Sequence, residues 1–215
     1  MALVDAAKQS AVQRDVAIFL YNGVEILDFA GPGEVFAATM TDGVHPLNVF
    51  TVAASSDPIV SQGFVTITPE FTLENAPLAD IIVLPGGNVG SFMGNQEVLA
   101  WVNKHREHSE IVMSVCNGAF ILAETGAFDG KTVTTFWGAI DNLKESYPKA
   151  TVLENTRFVD NGQIITTAGV SAGIDGALHV VSRLFGEDAA KATAKYMEYD
   201  KWHPEEGMIA KKSQK

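Results

Sequence analysis

Short, nearly unbroken apolar runs alternate along this chain with longer segments of helical spacing, a pattern that predicts a mostly parallel α/β sheet covered by helices on both faces. Residues 16–21 (VAIFLY) read as a buried first strand, and Pro32 in GPGEVFAAT suits the first turn of the next helix. LNVFTVAAS from Leu47 supplies a second strand, and residues 59–68, interrupted by Gly63, read as a hairpin or an extended excursion. ADIIVLPGG from Ala79 is a strand that runs into a glycine turn, and residues 96–105 have helical spacing. IVMSV at 111–115 is apolar enough to be a central strand, buried on both faces.

Beyond it, AFILAETG predicts an apolar helix that closes at Gly126. Residues 131–135 suit a strand and 139–145 a helix, and TRFVD and GQIITT form a hairpin about Asn161 and Gly162. Helical spacing returns from Ser171 to Phe185 and again from Asp188 towards Tyr199. No repeat or Pro/Ser-rich linker divides the chain, so one domain is expected over 16–200. An N-terminal extension (1–15) precedes it and a tail (201–215), frayed at KKSQK, follows.

With 215 residues, 47% of them apolar, the chain can bury a single substantial core. Its net charge of −11 opposes nonspecific binding to nucleic acid or to an anionic membrane surface, and leaves a small molecule as the expected partner. A single cysteine, Cys116, allows no intrachain disulfide and no structural zinc site, so no metal is expected. The first fifteen residues lack the apolar run of a signal peptide and no membrane-spanning run follows, so a cytoplasmic location is expected.

Cys116 falls where the central strand meets a helix. A nucleophile on so sharp a turn needs small neighbours two residues away, and Ser114-Val115-Cys116-Asn117-Gly118 provides them, in parallel with the G-x-S-x-G elbow. The helix that follows would aim backbone N–H groups at the sulfur and lower the thiol pKa. A free cysteine is otherwise a common core residue. Gly86 and Gly87, after the preceding strand, sit where open sheets bind ligands and would let backbone amides approach as an oxyanion hole requires.

Asp28 in VEILDFAGP is either a helix cap or solvated residue or, if near Cys116, one partner of a pair sharing a proton. Glu25 is assigned to solvent or a partner subunit. No Cys-His-Asp triad is completed by the histidines. His105 and His108 in KHREHS read as a solvated face, His179 as a satisfied core residue, and His45 and His203 carry no specific signal. The small-residue run from Gly169 through Ser171 to Gly173 either lines a pocket or permits close packing.

Taken in order and spacing, LDFAGPGEVF, ADIIVLPGG, IVMSVCNGAFILAETG, KTVTTFWG and TTAGVSAGIDGALHVV resemble the ThiJ/PfpI superfamily, and within it the isocyanide hydratase group. The resemblance implies a flavodoxin-like three-layer sandwich with a nucleophile elbow, similar to class I glutamine amidotransferases, and a homodimer. It implies Cys116 as nucleophile and Asp28 as its acidic partner in a reaction that needs no cofactor: an isocyanide plus water gives an N-substituted formamide through a thioimidate. Amides near Gly87 and Asn117 would organise the nucleophile and water, while Phe136, Trp137 and Ile174 would wall the pocket. Two positions depart from the pattern. Asn117 stands where relatives in the group often have threonine, and Phe136 where many superfamily members have histidine, which removes the base of a peptidase triad. The competing readings are a glyoxalase acting on methylglyoxal and a non-catalytic module that senses oxidation at Cys116. No helix-turn-helix segment follows Tyr199 to support a DNA-binding regulator.

Overall fold

The computed structural model describes residues 13–210. From the N-terminal side the elements are β1 (Arg14–Phe19), α1 (Ile26–Ala38), β2 (Leu47–Ala53), β3 (Ile59–Ser61), β4 (Val65–Ile67), β5 (Phe71–Thr72) and β6 (Ile81–Leu84). There follow α2 (Gln96–His108), β7 (Ile111–Val115), α3 (Ala119–Ala123), β8 (Thr132–Val133), α4 (Ile140–Ser146) and β9 (Thr151–Val152). The remainder comprises β10 (Phe158–Asp160), β11 (Ile164–Thr167), α5 (Ala172–Phe185), α6 (Glu187–Tyr196) and β12 (Met208–Ile209).

Eight strands form one sheet in the order β12-β10-β11-β7-β6-β1-β2-β5, and every neighbouring pair is parallel except the β10–β11 hairpin. β6, apolar throughout, and β7, apolar but for Ser114, are buried at every position, as strands covered on both faces must be. One covering layer contains α1, α5 and α6, and the other contains α2 and α3, which completes the α/β three-layer arrangement. Because β2 lies on one side of β1 while β6 and β7 lie on the other, the order reverses between β1 and β6. At that reversal the loops leaving neighbouring strands part, and a crevice opens at their carboxyl ends.

Several boundaries differ from those the sequence suggests. Pro32 is not in the first turn of its helix: α1 begins at Ile26 and Pro32 lies inside it. Its ring is buried and faces α5, where a side-chain carbon on Gly173 would lie 3.3 Å from it. Asp28 is consequently the third residue of α1, rather than part of a loop before it. Strand β1 starts at Arg14, inside the expected extension, and β12, inside the expected tail, pairs with β10 at the sheet edge. The strand expected over 131–135 contracts to β8 and pairs only with β9 in a separate side sheet. The excursion at 59–68 is the antiparallel β3–β4 hairpin. Residues 1–12 of the extension and the KKSQK end lie outside the described residues.

The turn after β7 depends on one glycine. A side-chain carbon at Gly118 would stand 2.1 Å from the Leu84 carbonyl oxygen and 2.8 Å from the Pro85 carbonyl, both backbone atoms that cannot rotate away. Gly118→Ala is therefore expected to cost about 2–4 kcal/mol of stability by forcing the β6 and β7 ends apart. Urea unfolding of the variant measures this, and an unchanged midpoint would contradict the steric account.

Candidate active site

Three chain segments converge at the carboxyl ends of β1, β6 and β7. Cys116 immediately follows β7 with φ 58°, a left-handed conformation rare for a residue with a side chain. That geometry is held from both sides: the Cys116 N–H donates to the Ala168 carbonyl at 3.1 Å, and the Thr135 hydroxyl donates to the Cys116 carbonyl at 2.7 Å. Such a strained residue survives only where its surroundings over-determine it. The residue is 7% exposed, and its thiol lies close enough to Asp28 for the carboxylate to bear on its protonation.

Asp28 is fully buried, so it is neither a cap nor a solvated residue. Its Oδ2 accepts the Gly86 N–H at 2.8 Å and its Oδ1 accepts the Val170 N–H at 3.0 Å. Burial pushes its pKa up to about 6, reinforced by the Glu25 charge, while the two amides and the cysteine thiol pull against the shift. Burial also pushes the Cys116 thiol up, to about 12; the Asp28 charge adds to the shift and the Asn117 N–H opposes it. The proton of the pair accordingly rests on sulfur, beside a carboxylate. This corrects the expectation of a thiol pKa lowered by a helix end. The helix is only Ala119–Ala123, so its dipole is small against desolvation and a buried anion.

The glycine amides are also otherwise engaged. The Gly86 N–H is taken by Asp28, and the Gly87 N–H donates to Asn117 Oδ1 at 2.8 Å, while Asn117 Nδ2 returns a bond to the Gly87 carbonyl at 3.0 Å. Gly86 and Gly87 therefore tie the crevice together and are not free oxyanion donors. The space is too tight for any side chain: at Gly86 one would meet Asn117 Oδ1 at 2.3 Å and Cys116 Cβ at 2.8 Å. The backbone amide of Asn117 remains turned to the sulfur.

A cleft of about 960 Å³ opens beside this pair, lined in part by Phe136, Trp137, Gly169, Val170, Arg157 and Glu206. Phe136 and Gly169 separate it from the sulfur: a methyl group built on Gly169 would lie 2.6 Å from the Phe136 ring and 3.3 Å from Cys116 Sγ. Trp137, 82% exposed, stands at the mouth. Ile174 and Ser171 are not among the cleft residues. Ile174 instead packs at the crossing of α1 and α5, where a carbon added to Gly31 would touch it at 2.9 Å, and the exposed Ser171 hydroxyl accepts from Arg157 Nη2 at 3.2 Å. Glu25 is partly buried and accepts a hydrogen bond from Gln62 Nε2 at 2.6 Å.

Of the histidines, His179 is a satisfied core residue, with Nε2 2.7 Å from Asp160 Oδ2. His105 is not solvated: it is 1% exposed, its ring lies 4.2 Å from that of Trp101 at a tilt of 41°, and it makes an Nδ1 contact of 3.0 Å to the Trp101 carbonyl. Its place was readable, because Val98, Trp101, Val102 and His105 recur at helical spacing on one buried face of α2. The run from Gly169 to Gly173 marks the neighbourhood of one further participant, Val170, and nothing in the sequence marks another, Tyr21. The Val170 N–H reaches Asp28 only because the residue adopts φ 53°, and Tyr21 reads as the end of an apolar strand although its hydroxyl is bonded beneath the site. Among the described residues no cluster of His, Cys, Asp and Glu could hold a metal ion, and no helix is long and apolar enough to cross a membrane.

Residues 14–183 match the DJ-1/PfpI family. An isonitrile hydratase of Pseudomonas putida is 31% identical over 185 residues, 86% of this chain and 78% of that protein. The transcriptional regulator CdhR of Pseudomonas aeruginosa is 24% identical, with 83% of this chain matching 53% of the regulator. Among solved structures, a ThiJ/PfpI family protein from Pseudomonas syringae superposes with a TM-score of 0.78 at 27% identity, over 95% of this chain and 84% of that one.

Proposed function

Because this chain belongs to the DJ-1/PfpI family, whose members include both enzymes and regulators, we propose from its own site that it is a cysteine-dependent hydratase converting an isocyanide and water to an N-substituted formamide. The observation that carries this reading is the buried pair of Cys116 thiol and Asp28 carboxylate, with the proton on sulfur and an acceptor of pKa about 6 beside it. The likeness to an isonitrile hydratase supports it.

An isocyanide carbon is both electrophilic and basic, so it needs a nucleophile and a proton delivered to the same atom. Sulfur bonds to that carbon as the thiol proton passes to Asp28, which then hands it to the carbon and leaves the thioimidate R–N=CH–S–Cys116. Asp28, again a carboxylate, accepts a proton from the incoming water. The oxygen bonds to carbon, and the nitrogen takes up the proton. The C–S bond then breaks as the hydroxyl becomes a carbonyl and its proton returns to sulfur, releasing R–NH–CHO. The atoms sum to one isocyanide plus one water, and the enzyme ends unchanged. The Asn117 N–H steadies the charge that develops on sulfur. The organic substituent occupies the cleft beside Phe136 and Trp137.

The purified protein is expected to convert an aryl isocyanide to the corresponding formamide, followed by chromatography of the product, with no consumption of methylglyoxal in parallel. Turnover of methylglyoxal with none of the isocyanide would replace this reading by the glyoxalase one.

A further inference from the structure

Tyr21 lies at the carboxyl end of β1 and is 2% exposed, its ring set 5.6 Å from that of Phe19 and edge-on to Phe92 at 4.9 Å. Its hydroxyl donates to the Pro85 carbonyl oxygen at 2.9 Å. That carbonyl belongs to the same peptide group as the Gly86 N–H, which donates to Asp28 Oδ2 at 2.8 Å. Since a peptide group is planar, turning the carbonyl turns the N–H with it. Gly86 has no side chain to restrain the plane from its own side. A single hydrogen-bonded series thus runs from the phenol through one peptide to the carboxylate that stands beside the Cys116 thiol.

We infer that Tyr21 is a positioning residue for the Cys116–Asp28 pair, its hydroxyl acting through the Pro85–Gly86 peptide to orient and strengthen the donor that holds the Asp28 carboxylate. The inference rests on the reading of Asp28 as the proton carrier. Donation to a carbonyl polarises the amide and makes its N–H a better donor, by about a tenth to a third of the bond. A stronger donor favours the ionised carboxylate, the form that receives the thiol proton. The charged or titratable groups facing Asp28 are Glu25 at the start of α1, Tyr21 after β1 and Cys116 after β7; the Gly86 and Val170 amides complete its surroundings. None of the others is bonded to the Pro85 carbonyl, so the phenol can be altered alone.

The test is the titration of the Asp28 carboxyl by carbon-13 NMR, with its resonance assigned by its loss in Asp28→Asn. The wild-type midpoint is expected near pH 6. Tyr21→Phe keeps the aromatic packing and is expected to raise the midpoint by roughly half a pH unit. Replacing Tyr21 alone by 3-fluorotyrosine, whose hydroxyl is a stronger donor, is expected to lower it. A role in packing alone predicts lost stability with no shift. Unchanged midpoints would overturn the inference, and the fluorotyrosine arm decides the matter even if Tyr21→Phe does not fold. The acid limb of isocyanide turnover should move with the midpoint. If the wild type shows no turnover at all, the proposed reaction fails while the NMR shift still decides the role of Tyr21.

Discussion

Replacing Cys116 with alanine is expected to lower isocyanide turnover by at least about ten-thousandfold while the protein stays folded, because no other group can form the covalent intermediate. The scaffold should tolerate the change. Smaller than cysteine, alanine leaves the Cys116 backbone bonds to Ala168 and Thr135 in place, and it removes the thiol that Asp28 faces. Steady-state kinetics beside circular dichroism separate lost chemistry from lost structure. Turnover by the alanine variant within tenfold of wild type would defeat nucleophilic catalysis at this position.

Asp28→Asn carries the second large effect. An amide can neither take the thiol proton nor return it to carbon, so turnover is expected to fall by about a hundredfold to ten-thousandfold. In the wild type the carboxylate must be ionised to act, and turnover should decline as pH falls through about 6; in the variant that limb should vanish. Stability moves with the opposite sign. The folded carboxyl has a raised pKa, about 6 against 3.8, so the folded state holds the proton more tightly than the unfolded chain does. Its contribution is fully present below about pH 4 and disappears as pH climbs through about 6, a loss of about 3 kcal/mol relative to Asp28→Asn. Urea unfolding of both proteins from pH 4 to 7 reads this difference. A difference that stays flat across the range would show that burial does not burden Asp28.

Much of this arrangement is legible along the chain because the central strands announce themselves. The run that forms β6 is apolar throughout and that of β7 apolar but for Ser114, since both faces are covered, and small residues about Cys116 mark the corner that follows. Asp28 could be singled out by residue type and position, but its burial depends on α1 beginning at Ile26, which Pro32 disguises by occurring well inside the helix. The fates of the glycine amides were hidden for a different reason. Whether an N–H is free depends on which side chains fold towards it, and both Asp28 and Asn117 reach them from distant points in the chain. The thiol was misjudged on a local rule: the dipole of the following helix is a short-range benefit, whereas desolvation and the charge of Asp28 are properties of the assembled core.

The cover that Phe136 and Gly169 place over the sulfur sets a size limit on what can react there. For the reaction proposed above, the slender, linear terminus of an isocyanide fits within that limit, whereas a branched reactant would meet the Phe136 ring first.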